Sequence, residues 1–289
     1  MIKIIRAVLI ICINAWLVLP VYAAEEDFWV PSYMPSSLAI GTLFDKDGSR
    51  SFRLHWDQAL PYENRFALVY DRSQVATSET ITMNNFQINI ESSPLQVVRM
   101  GLGFERWGNW TLLHTDTYHG KLEWSSPRWR VLAQPSVRII NRHANSIDSI
   151  DAFRAYSRGL HLEAKLYFLD TMRIYLAHAQ FYYDQDPSSL ANTRDREVLL
   201  FSPLILQQAQ GFETHRSQAG VSYLLPQIEI SFDWRRSISA IDKNRYTYAS
   251  ISILWEFANR WVIQAQTGQS LDGEHRNVWY VASALAYRW

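Results

Sequence analysis

The 289-residue chain carries 28 basic and 28 acidic side chains, a formal charge of zero at pH 7, and a single cysteine. That balance argues against a nucleic-acid partner, and one thiol excludes an intrachain disulfide. Twelve Trp and 15 Tyr accompany a mean hydropathy of only −0.18, and no stretch beyond residue 23 nears the ~18 consecutive apolar residues of a spanning helix, which excludes a helical membrane protein.

The amino-terminal segment, residues 1–23, has the make-up of a signal peptide. Lys3 and Arg6 form a short basic region, Ala7 to Leu19 an apolar core, and Val21-Tyr22-Ala23 a small-residue cleavage site. Cys12 lies inside this segment, and Ile11 before it is not the small residue of a lipoprotein signal. Cleavage removes Lys3, Arg6 and the thiol, leaving a formal charge of −2. Residues 24–36 then form a short amino-terminal segment, too short for a plug domain.

From residue 37 onward, apolar and polar residues alternate with the period of a β-strand. Strands are expected at 37–45, around Phe52-Leu54-Trp56, at 66–72 and 80–91, around Val98-Met100-Leu102-Phe104, and at 114–124 and 128–140. Further strands are expected around Leu160-Leu162-Ala164-Leu166-Phe168, at 171–183 and 216–224, around Ile228-Ile230-Phe232-Trp234, around Ala249-Ile251-Ile253-Trp255-Phe257, and at 261–269. With the last strand at 278–289 the count is fourteen, and twelve to sixteen stays open. Asn84-Asn85 breaks the phase of one strand, Pro135 interrupts another, and the 171–183 segment changes phase near Ala177. Tight turns at 125–127, 169–170, 225–226 and 258–260 alternate with longer links near 141–157, 184–215, 239–244 and 270–276.

The last strand places Trp279, Val281, Leu285, Tyr287 and Trp289 on one face and Tyr280, Ala282, Ala284, Ala286 and Arg288 on the other. An alternating strand ending on Tyr287-Arg288-Trp289 resembles the assembly signal of Gram-negative outer-membrane β-barrel proteins. The resemblance implies an all-β, single, closed, antiparallel up-and-down barrel over residues 37–289, preceded by a short periplasmic segment. It also implies residence in the outer membrane, contact with its lipid, and insertion by the barrel assembly machinery through the carboxy-terminal strand. In size and strand number the chain is similar to monomeric fourteen-stranded porins.

In such a barrel the polar strand faces line the lumen. They collect Arg53, His55, Asp57, Arg99, Glu105, His119, Lys121, Glu123, Arg130 and Arg138 from the first half, and His161, Glu163, Lys165, Glu229, Asp233, Arg235 and Glu256 from the second. Interspersed signs suit either a polar channel wall or a closed network of ion pairs. The link 184–215 contains the apolar run 198–206, whose Phe201, Pro203 and Leu204 are candidates for a gate folded into the barrel, an extra hairpin being the alternative. His143, Ser146, Asp148, Ser149 and Asp151 share one loop, but within that loop the His-x-Ser spacing of outer-membrane lipid hydrolases does not occur. No phosphate loop, His-Glu-x-x-His or EF-hand pattern occurs, so no cofactor or metal is expected. The sequence therefore points to a passive channel for small polar solutes. A non-conducting accessory component of an envelope export or assembly system is the alternative, and a lipid-modifying hydrolase the third.

Overall fold

The structure, a computed structural model, describes residues 36–75, 81–95, 97–109, 113–143, 152–168, 171–192, 212–257, 260–270 and 278–289. Fourteen strands run in order: β1 (Ser37–Asp45), β2 (Arg50–Leu60), β3 (Asn64–Val75), β4 (Ile81–Leu95), β5 (Val98–Asn109), β6 (Leu113–Ser126) and β7 (Trp129–Arg142), then β8 (Phe153–Phe168), β9 (Met172–Tyr183), β10 (Glu213–Leu224), β11 (Ile228–Ser239), β12 (Arg245–Phe257), β13 (Trp261–Ser270) and β14 (Trp279–Arg288). Each pairs antiparallel with its neighbours in sequence, and β1 pairs with β14 from Ser37 opposite Arg288 to Asp45 opposite Tyr280. Closure leaves no sheet edge, so every strand satisfies its backbone inside the sheet, as hydrocarbon surroundings demand.

The two faces divide as alternation requires. Ile40, Leu102, Leu162, Leu176, Phe232, Ile251, Ile253 and Val281 are exposed apolar side chains on the outer face, and Leu102 is 75% exposed. Spread round the barrel, they form a belt that water would reject and lipid accepts. At one end of the belt, rings gather about the short turns. Trp124 and Trp129 pack edge to face at 5.6 Å across one turn, and Trp261 and Tyr287 lie 4.8 Å apart near another. Amphipathic rings favour the headgroup level, so this end marks a membrane boundary. Short periplasmic turns and long extracellular loops typify bacterial barrels, which makes the ring-bearing end periplasmic.

At the extracellular end the faces exchange character. Val75, Met83, Trp107, Leu113, Ile140, Ala155 and Tyr246, all near the extracellular ends of their strands, point inward and form one apolar cluster. Tyr248 of β12, Ile241 of the β11–β12 link and two residues between β9 and β10 join it: Leu190, fully buried in a 3-10 turn (Pro187–Asn192), and Phe212. Outside, at the same level, the strands bear polar groups such as Asn84 and Gln180. This inversion explains two irregularities of the pattern. In β4 the phase never breaks: Asn85 faces the lumen and is buried, while Asn84 faces out and accepts a 3.1 Å hydrogen bond from the Tyr70 hydroxyl. In β9 the phase also holds throughout, with buried Ala177, Ala179 and Phe181 inside and exposed Leu176, His178 and Tyr182 outside.

Pro135 lies within β7. Its register partner on β8 is Leu160, whereas pairing towards β6 lapses between His119 opposite Ser136 and Leu122 opposite Ala133. A residue without an N–H leaves a gap in one ladder without ending the strand.

Candidate functional site

The lumen wall is built from facing strand positions whose register brings acids opposite bases. Arg53 of β2 lies opposite Asp71 of β3 and holds it with two donors on one guanidinium edge, Nε to Oδ1 at 2.6 Å and Nη2 to Oδ2 at 3.1 Å. One pair lower, Arg65 grips Asp57 in the same forked manner. His55 stands between Arg53 and Asp57 on this wall. Forked arginine–carboxylate contacts fix both side chains and rank among the stronger polar contacts.

A longer chain of charges crosses β4 to β8. Lys121 Nζ lies 2.7 Å from Glu91 and 3.4 Å from Glu123, which in turn sits 3.8 Å from Arg99 and 3.6 Å from Arg130. Arg130 reaches Glu163 at 3.6 Å, and Lys165 meets the same carboxylate at 2.9 Å, with His161 at 3.9 Å. Above this chain, His119 bonds Asn89 at 3.0 Å. Arg138 donates from Nε to Thr117 and lies over the Phe181 ring at 5.2 Å, and Glu105 is buried nearby on β5.

The adjoining strands β9 to β11 hold a further group, next to the chain on β8 because Lys165 lies opposite Tyr175 in the register. Glu229 binds Arg173, Arg235 binds Glu213, and the Tyr175 hydroxyl donates to Asp233 at 2.5 Å. Tyr175 lies flat across β10 because residue 220 is glycine; a Cβ there would stand 2.2 Å from the ring. Near the periplasmic end, Arg288 holds Glu256 at 2.6 Å.

The register thus brings the expected wall residues into three groups, on β2–β3, β4–β8 and β9–β11, with Glu256 apart beside Arg288, and adds partners that the alternation pattern did not mark: Arg65, Asp71, Glu91, Arg173, Tyr175 and Glu213. Asp71 and Arg65 share a phase with Ala67 and Val69 on β3, and Arg173 lies in the segment whose phase seemed to shift. For Arg65, Asp71, Glu91 and Tyr175 the signal was position opposite a charged residue, which emerges only once turns fix the register, whereas Arg173 faces Ser222 and Glu213 faces Ser239 and each reaches a charge farther off.

Along the wall from β8 to β13 lies a cavity of about 350 Å³, bordered by Lys165, Arg173, Gln218, Glu229, Asp233 and Gln264. Both signs of charge and several amides face it, so it suits water and small polar molecules. Among the described residues no group of His, Cys, Asp or Glu is placed to hold a metal. His143 stacks on His114 with ring centroids 5.4 Å apart, while Ser146, Asp148, Ser149 and Asp151 lie outside the described residues. Phe201, Pro203 and Leu204 lie outside them too.

A closed antiparallel barrel with an apolar outer belt, a boundary of aromatic rings and a charged interior is an outer-membrane β-barrel, a fold at home in the outer membrane of a Gram-negative bacterium. The chain matches no family model and no curated protein. Among solved structures its fold is similar to a bacterial polysaccharide outer membrane secretin, with a TM-score of 0.51 and 10% identity over 88% of this chain and 98% of that one. It is also similar to the Acinetobacter baumannii outer membrane protein Omp33, with a TM-score of 0.50 and 7% identity over 88% and 98% of the two chains. A KdgM porin in complex with disordered oligogalacturonate aligns at a TM-score of 0.46 and 9% identity over 88% and 99%. At such identities the likeness is one of fold.

Proposed function

We propose that the protein is a passive channel for small polar solutes, narrowed at its extracellular end by the loop between β9 and β10. The observation that carries this reading is the charged, cavity-bearing interior inside a fourteen-stranded barrel. Barrel diameter grows with strand number, and fourteen strands enclose more space than their own side chains fill. Solutes would pass along the wall that carries the Lys121–Glu123–Arg130–Glu163 chain and the Arg173–Glu229 pair, with fixed charges of both signs standing in for lost hydration. In this reading Leu190 and Phe212 hold the loop across the mouth, and Phe201, Pro203 and Leu204 belong to the gate it carries. The carboxy-terminal strand with Tyr287 and Trp289 serves as the mark read by the barrel assembly machinery.

A second reading is supported by the same apolar cluster. A barrel sealed at its extracellular end by packed side chains would be a non-conducting component of an envelope export or assembly system. Planar-bilayer recording of the purified protein separates the two. Steady single-channel steps across a range of voltage and pH establish the channel; a silent bilayer with correctly folded protein rejects it.

A further inference from the structure

The outer face of the barrel is apolar around its belt and aromatic at its periplasmic rim, yet it becomes basic at its extracellular rim. Arg50 on β2, Arg72 on β3, Arg106 on β5, Arg154 and Arg158 on β8, Arg236 on β11 and Arg245 on β12 all project outward close to the extracellular ends of their strands, Arg50 donating to Gln74 beside it at 2.7 Å. Directly below them on the same faces stand the residues of the lipid belt: Tyr70 below Arg72, Leu160 and Leu162 below Arg158, Trp234 and Phe232 below Arg236. The arginines therefore sit where hydrocarbon gives way to head groups, and on the outward side of the wall.

Their charge is largely unanswered by the protein. Asp116 is the one acid on the outer face of the described strands, and Arg106 holds it through two hydrogen bonds of 2.6 and 2.8 Å. Arg72, Arg154, Arg158, Arg236 and Arg245 are exposed and form no ion pair with another described residue. Lumen arginines of the same strands behave otherwise, each gripping a carboxylate, as Arg235 grips Glu213 one residue from Arg236. The periplasmic rim offers a control within the same molecule: its outward strand positions carry Trp124, Trp129, Tyr223, Trp255, Trp261 and Tyr287, and no Lys or Arg among the described residues. The asymmetry matches a membrane whose outer leaflet bears more anionic charge at its surface than its inner one.

We propose that this arginine rim binds the phosphate groups of the outer-leaflet glycolipid, lipid A, with two principal sites. One is Arg154 and Arg158, which flank Tyr156 on a single strand face; the Arg154 guanidinium rests 5.2 Å from the Tyr156 ring centre, and Tyr182 lies opposite Arg158 in the register. The other is Arg236 with Arg245, neighbours across the β11–β12 pairing. A planar guanidinium presents paired N–H donors to two phosphate oxygens, and an aromatic ring beside it holds that fork in place at the interface. All seven outward Lys or Arg positions of the described strands are Arg, which fits bidentate phosphate recognition better than diffuse attraction to a charged surface.

The test uses the full-length protein in detergent micelles, titrated with bisphosphorylated lipid A and with the same lipid after removal of both phosphates. The phosphorylated lipid should bind at least tenfold more tightly, and R154Q/R158Q and R236Q/R245Q should each lose about tenfold of that preference, the scale expected for two interfacial arginines. Lumen variant R130Q should retain the full preference. Equal affinity for the two lipids, or a preference untouched in both double variants, overturns the proposal, as does an equal loss in R130Q. Because the double variants leave the lumen intact, their single-channel conductance reports on the channel separately, and either reading can fail without the other.

Discussion

Trp107 of β5 and Phe212 of the β9–β10 loop meet edge to face with ring centroids 6.1 Å apart, and this contact fastens the loop to the far wall of the barrel. Both rings belong to the cluster that includes fully buried Leu190 and Ile140. Replacing Phe212 with Ala empties a site where removal of a buried ring typically costs about 3 to 5 kcal/mol. That cost falls on loop attachment, since the strands below keep their own ladders. Single-channel conductance of F212A should therefore rise over the wild type, with little change in barrel melting temperature. Unchanged conductance would show that the loop is not the narrowest point.

The division of faces makes a sharper demand. Leu102 and Ile253 face lipid near the middle of the belt, and Ser252, next to Ile253, faces the lumen. Leu102→Arg and Ile253→Arg should each destabilise the folded barrel in bilayers by roughly 2 to 4 kcal/mol, whereas Ser252→Arg meets a polar, hydrated wall and should cost far less. Equilibrium unfolding from vesicles by denaturant, followed by Trp fluorescence, gives the comparison. Similar losses in Ser252→Arg and Ile253→Arg would refute the assignment.

Much of this architecture is legible in the sequence because a membrane barrel needs the same alternation wherever lipid is present. The strands with Leu102, Phe168, Ile230 and Ile253 show it without ambiguity, and with the weaker segments they give fourteen, a count that the irregular strands leave open between twelve and sixteen. Legibility fails above the membrane. There β9 carries Ala177, Ala179 and Phe181 inward and His178 and Gln180 outward, so a reader expecting a polar interior sees a reversed phase. β4 does the same with Met83 inward and Asn84 outward. Both reversals trace to one tertiary fact, the apolar loop residues Leu190 and Phe212 drawn into the mouth, which no local pattern announces. Ion pairing was legible only in part, because alternation marks the face of Asp71 or Arg173 but not the residue opposite.

Charge on the lumen wall should set ionic preference. Glu163 stands 2.9 Å from Lys165 and 3.6 Å from Arg130, beside the cavity. Glu163→Gln leaves two cations facing the solute path without their shared carboxylate, and the reversal potential in a KCl gradient should move towards anion preference. Arg173→Gln, which frees Glu229, should move it the other way. These side chains are partly exposed to the lumen, so water screens the orphaned charges and the stability cost should stay below the ~3 kcal/mol of a dry buried pair. Shifts of the same sign in both variants would contradict a path along this wall.

Acid should loosen the base of the β9–β10 loop. Asp186, just before the 3-10 turn, accepts a 2.9 Å hydrogen bond from Lys243 Nζ in the β11–β12 link and a 3.0 Å one from the Ser188 backbone N–H. The Lys243 ammonium, with help from that N–H, holds the Asp186 carboxyl below its usual range. A carboxyl with a lowered folded pKa stabilises the folded form above the ordinary value of 3.8 and loses that contribution as pH falls through and beneath it. The pair is exposed, so the tether is worth no more than about 1 kcal/mol. Protection of the Ser188 amide against hydrogen exchange, corrected for intrinsic rates, should drop less than about fivefold between pH 5 and pH 3 in the wild type, in keeping with that small energy. Asp186→Asn keeps an acceptor for both donors but carries no charge, so its protection should be lower at pH 5 and flat with pH. A wild-type profile as flat as that of the variant would show that the ion pair does not anchor the loop.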